Sequence, residues 1–187
     1  MSNTSETNSG SPSGLSNPQE SLDAHVQKPW WSVLGPEDGE HLWQPEPARG
    51  YVSLKLTPET MPYDGFSSGT QVLPPGGSVR AHGHRQNHEL IHITEGTGRC
   101  EIETETYNFE PGSTILFGRY AKHYLVNTGD VDVKLFWVFF PAGLEHWFRA
   151  LGKPRQPGDA SPEAFGRPED VEQAMAQQHF VPPGTNN

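Results

Sequence analysis

The chain has 187 residues, with 20 glycines, 18 prolines and a formal net charge of −10 at pH 7, a composition that favours one domain rich in tight turns over a helix bundle. No basic stripe is present to meet a phosphate backbone, and no run approaches the ~20 apolar residues of a membrane span, so neither nucleic acid nor membrane is an expected partner. The lone cysteine, Cys100, allows no internal disulfide and reads as a packed thiol, and the absence of a basic start and apolar run at the N-terminus places the chain, by expectation, in the cytoplasm.

Residues 1–25, rich in Ser, Asn, Gly and Pro, cannot offset the entropy of ordering and read as a disordered tail. Residues 26–49 carry Trp30, Trp31 and Trp43 among prolines and glycines and read as an irregular Trp-rich arm packed on the domain. From residue 50 the rhythm becomes that of short strands with period-two alternation. The segments are 51–56, 70–77, the stretch holding His82 and His84, 88–94, 99–109, 114–118, 122–127 and 131–140, separated by Gly- and Pro-containing turns. About eight strands with no helix between them predict an all-β antiparallel sandwich or barrel over 50–141. Short helices are expected only in a C-terminal extension, 142–180. The first spans 143–151, with Leu144, Trp147, Phe148 and Leu151 as its apolar stripe, and the second spans 167–180; 181–187 is a tail.

Five of nine histidines fall in or opposite one window: His82, His84, His88, His92 and His123. Side chains two apart on a strand share a face, so His82 and His84 present two imidazoles together. Glu89 opens the following strand, where an antiparallel hairpin would fold it back beside the pair, and His123 arrives from a later strand. If Glu89 faces inward with Ile91 and Ile93, then His88 and His92 face outward. Three imidazoles and one carboxylate suit one divalent transition metal, Fe(II) favoured, with Mn, Ni, Co, Cu or Zn as alternatives. A buried carboxylate without a cation is costly. The histidines at 25, 41, 146 and 179 read as structural or exposed.

The window resembles the first motif of the cupin superfamily, G-x5-H-x-H-x3,4-E-x6-G, through Gly76, His82, His84, Glu89 and Gly96. The second motif, G-x5-P-x-G-x2-H-x3-N, is met at Gly112, His123 and Asn127, but Gly118 stands where the motif has proline and Tyr120 where it has its second glycine. The shape of the turn before His123 is therefore left open. The resemblance extends over about 50–141 and implies a double-stranded β-helix, the jelly-roll cupin barrel. The stretch FFPAGLEHWFRALGKPRQPGDASPEAFGRPEDVEQA also resembles the C-terminal extension of small cupins similar to quercetin dioxygenases.

Alternation on KLFWVFF places Leu135, Trp137 and Phe139 on one face. Trp137, Phe139, Phe117 and Ile91 are expected to wall a small-molecule substrate, with Arg80 holding a carboxylate or phenolate and Asn127 supporting the site by hydrogen bonding. Three functions compete. The leading one is an Fe(II)-type dioxygenase on a small aromatic or enolic substrate, with Glu89 as ligand or general base. The second is a non-oxidative metal-dependent isomerase, cyclase or lyase. The third is a ligand-binding cupin without catalysis. A homodimer is expected from the frequency of two-fold pairs.

Overall fold

The computed structural model describes residues 29–169 and the backbone of 180–181. Residues 32–187 form one compact unit; of the other, residues 1–31, only 29–31 are described, without regular structure. The expected disordered tail, the last residues and most of the expected helix over 167–180 lie outside the described residues. Within that expected helix, residues 167–169 are not helical and Phe180 is in a strand.

Two antiparallel sheets face each other. The first has seven strands in the order β11 (Lys153–Pro154), β1 (Glu40–Trp43), β2 (Tyr51–Leu56), β3 (Ser67–Leu73), β10 (Val133–Phe140), β5 (His88–Glu95) and β8 (Thr114–Phe117). The second has five: β12 (Phe180–Val181), β4 (Ser78–His84), β9 (His123–Asn127), β6 (Gly98–Ile102) and β7 (Glu105–Phe109). This is an all-β double-stranded β-helix. Its core lies between the sheets, where Ile91, Ile93, Phe117, Leu135, Trp137 and Phe139 are almost wholly buried, each burial worth about 1.5–3 kcal/mol. Alternation puts these residues inside: on β10, Leu135, Trp137 and Phe139 point inward while Phe136 is exposed.

Three expectations need correction. The arm is not wholly irregular, because residues 40–43 form β1, with Leu42 and Trp43 buried and registered against Val52 and Tyr51. The segment 99–109 is not one strand. It folds into the β6–β7 hairpin, in which Ile102 faces Glu105 across a two-residue turn whose Glu103 has φ 53°. Alternation runs unbroken through that turn, so period alone does not reveal it. Nor do β4 and β5 form a hairpin, since they lie in different sheets and the chain between them crosses the sandwich.

One helix, α1 (Leu144–Leu151), follows β10 and lays Leu144, Phe148 and Leu151 against the barrel. It stops at Gly152, whose N–H donates to the Phe148 carbonyl at 2.8 Å. A Cβ there would lie 2.8 Å from Leu42 Cβ and 3.1 Å from the Trp43 carbonyl, so only glycine lets the helix end touch β1 so closely. Among the described residues no helix is long and apolar enough to cross a membrane.

Candidate metal centre

Strand β4 supplies His82 and His84, β9 supplies His123 and β5 supplies Glu89. One ligand atom from each lies within 4.8 Å of the others. The three imidazoles therefore come from the five-stranded sheet and the carboxylate reaches them from the facing sheet. The rings of His82 and His123 have centroids 4.3 Å apart, and those of His82 and His84 are 4.9 Å apart. His84 Nε2 lies 3.0 Å from Glu89 Oε2, and His123 Nε2 lies 3.4 Å from the same oxygen.

A bulge shapes the pair on β4. Val79 opposes Leu125 and His82 opposes His123, so three residues of β4 advance against two of β9. The extra residue puts Val79 and His82 on the inner side and leaves Arg80 and Ala81 exposed. Arg80 therefore does not share the imidazole face by simple alternation, although it still reaches the rim of the cavity described below.

Proton positions follow from the second nitrogen of each ring. His82 Nδ1–H donates to the Arg80 carbonyl at 2.8 Å, and His123 Nδ1–H donates to the Ala121 carbonyl at 2.9 Å. A carbonyl only accepts, so in neutral rings both Nε2 atoms carry lone pairs. His123 Nε2 is buried without a hydrogen bond and faces a carboxylate oxygen. Two acceptors aimed at each other inside a protein are repulsive unless a cation or proton stands between them. Burial first, then the neighbouring His123 and His84, holds His82 well below its ordinary pKa and so keeps it a neutral donor. Burial would raise the Glu89 carboxyl, but where a proton stands between it and the rings, His123 and His84 outweigh burial and hold the group far below the usual carboxylate range. This donor set fits one divalent transition metal.

The aromatic wall differs from expectation. Phe117 lies flat on the His123 ring, with centroids 3.8 Å apart and planes 7° apart, and Phe139 meets His84 edge-on at 4.8 Å. Trp137 packs on Phe148. All three are at most 2% exposed and none lines the cavity described below; Phe117 and Phe139 brace imidazole rings, while Trp137 packs on the helix. Asn127 is also displaced from its expected role. Its Nδ2 donates to the Leu73 and Val131 carbonyls and its Oδ1 accepts from Gly129 N–H, so it braces the turn after β9. Cys100 is fully buried, and burial, then Glu89 and Glu101, pushes its thiol up to about 12. His88 stacks on Phe140 and His92 bonds Thr114 on the outer face, while His41 is held by Ser53 and the Glu37 carbonyl.

In the turn before His123 a tyrosine takes the left-handed conformation that glycine adopts most easily. Tyr120 adopts φ 66°, and its N–H donates to the His84 carbonyl at 2.7 Å, tying the loop to β4.

A cavity of about 260 Å³ opens beside the cluster, just under the ~300 Å³ low end of small-molecule pockets. His82, Glu89 and His123 line it together with Ile91, Leu125, Leu135, Leu144, Trp147 and Phe148. Gln44, Gln71, Arg80 and Arg167 add polar groups. Of the expected substrate residues, Arg80 and Ile91 reach this space. The helix residues, Gln44 and Arg167 were not anticipated, because they come from outside the strands that carry the histidines. Burial, then the nearby charge of Arg80, brings Arg167 down to about 10.

Residues 69–139 match the family described as the Cupin domain. The chain is 34% identical over 87 residues to 5-nitrosalicylic acid 1,2-dioxygenase of Bradyrhizobium sp, covering 46% of this chain and 41% of that protein. It is 27% identical over 92 residues to Protein SchB of Streptomyces halstedii, covering 49% and 67%. The chain thus spans less than half the length of the dioxygenase it matches. Among solved structures, an RmlC-like cupin from Shewanella frigidimarina superposes with TM-score 0.51 at 13% identity, over 62% of this chain and 96% of that one, a likeness of fold.

Proposed function

Given that the barrel is a cupin domain, we propose that it works as a metal-dependent dioxygenase, holding one divalent ion, Fe(II) favoured, and opening or cleaving a small aromatic or enolic substrate. The observation that carries the reading is the inward-facing Nε2 of His123, buried without a hydrogen bond beside Glu89 Oε2, with its ring proton committed to Ala121. The similarity to a relative named as a dioxygenase supports the choice of reaction class. When bound, a redox-active ion supplies a centre where dioxygen and substrate oxygen meet. The protein's own groups do the rest. His82, His84, His123 and Glu89, as three neutral imidazoles and one carboxylate, would hold a 2+ ion. The depressed carboxyl suits Glu89 to holding a cation more than to taking a proton. Apolar Ile91, Leu125, Leu135 and Phe148 keep water from the reacting end and position a single ring.

Metal analysis of protein purified without added metal, with oxygen uptake on phenolic and diketone substrates, tests this. Iron with substrate-dependent uptake that disappears in His123→Ala is expected. Zinc with no uptake across those substrates refutes it, and turnover persisting under strict anaerobiosis moves the chemistry to an isomerase, cyclase or lyase.

A further inference from the structure

Two arginines, Arg80 and Arg167, line the cavity. Arg80 comes from the β4 bulge and is exposed; Arg167 comes from the chain after α1 and is half-buried. Neither forms an ion pair with a carboxylate among the described residues. Arg167 lies over the Trp147 ring, Cζ 5.2 Å from the centroid, and its Nε is buried without a hydrogen-bond partner. Glu46 lines the same space but sits 3.9 Å from Arg49. A third donor adds to the two. Gln71 Nε2 donates to Gln44 Oε1 at 2.6 Å, which leaves the buried Gln44 Nε2 unpartnered in the wall of the cavity. Neighbouring like charges and unsatisfied donors in a half-dry site are costly by themselves and become favourable around an anion. The same cavity is lined by His82, Glu89 and His123 and by apolar side chains.

We infer that the substrate is a small monocarboxylic acid with an apolar body, its carboxylate taken by Arg80 and Arg167 while its far end reaches the histidine cluster. Arginine suits this task because its planar fork matches a carboxylate two bonds at a time. The inference rests on the proposed reading of the cluster as the reacting end, yet the anchor stands or falls by its own test.

Calorimetric titration of the full chain with benzoate and with benzamide, its neutral isostere, supplies that test, run on metal-loaded and on chelator-treated protein. Benzoate is expected to bind at least tenfold more tightly than benzamide in both states. Arg167→Gln and Arg80→Gln should each weaken benzoate by about tenfold and leave benzamide unchanged, while Arg167→Lys, which keeps the charge but not the fork, falls between. Circular dichroism confirms that these rim variants remain folded. Benzamide bound as tightly as benzoate, no benzoate binding, or benzoate affinity unchanged in both glutamine variants overturns the inference. Benzoate held through the arginines in a protein that consumes no oxygen leaves the anchor standing and sinks the dioxygenase. Oxygen uptake on neutral phenols with no preference for acids does the reverse.

Discussion

Glu89→Gln is the substitution that most directly tests the cluster. Glu89 is the one anionic member of the set, and its Oε2 lies 3.0 Å from His84 Nε2 and 3.4 Å from His123 Nε2. A ligand that binds only the folded state stabilises it by RT ln(1 + [L]/Kd), about 2.7 kcal/mol at a hundredfold excess over Kd. For a chain of this size each kcal/mol moves the midpoint by roughly 2–4 °C, so metal should raise wild-type Tm by about 5–11 °C. Replacing the carboxylate by an amide removes the anionic ligand. A loss of about a hundredfold in affinity, at the upper end of what even supporting residues cost, leaves only RT ln 2 at the same metal concentration, about 0.4 kcal/mol, or roughly 1–2 °C. The assay is differential scanning calorimetry of chelator-treated protein with and without Fe(II), Mn(II), Co(II), Ni(II), Cu(II) or Zn(II). The quantity read is the metal-induced shift and not the absolute Tm. Equal shifts in wild type and Glu89→Gln, or no wild-type shift with any of the six ions, would refute the reasoning.

Other outcomes follow from the same geometry. The folded-state pKa of His82 is lowered, so the native state binds fewer protons than the unfolded one below about 6.5, and the stability of metal-free protein should fall as pH drops through that value. Glu89 is likewise depressed, so its contribution is present above about 4.3 and is lost as pH falls further; denaturant melts across pH 3–8 on wild type and Glu89→Gln should show the acid limb flattened in the variant. Phe117→Ala removes a buried ring stacked on His123 and should cost about 3–5 kcal/mol, whereas Phe117→Leu should cost less but still weaken metal binding measurably by equilibrium dialysis, because the imidazole loses its flat support. At Tyr120, φ 66° is hardest for a residue branched at Cβ and freely adopted by glycine, so in urea melts Tyr120→Val should be less stable than wild type and Tyr120→Gly should not.

The barrel is written plainly in the chain because period-two alternation and turn residues are local signals. YVSLKL is β2 residue for residue, and the face assignments on β5 and β10 hold because a strand has only two faces. The convergence of His82, His84, Glu89 and His123 was legible from motif spacing. What escaped depends on long-range pairing. The bulge that exposes Arg80 exists only against β9, and the separation of β4 from β5 into different sheets is invisible to spacing. Alternation says that Phe117 and Phe139 point inward but not that they end behind imidazoles. Arg167 and Gln44 lie far along the sequence from the histidines, with nothing local to tie them to the cavity.

The cluster straddles the sandwich, three donors on one wall and the fourth on the other. An ion seated there would fasten two plates together as a rivet does, favouring the closed state over any in which the plates part. Metal loading should accordingly slow deuterium exchange on β4 and on β5 alike, although the two strands lie in different sheets and share no ladder.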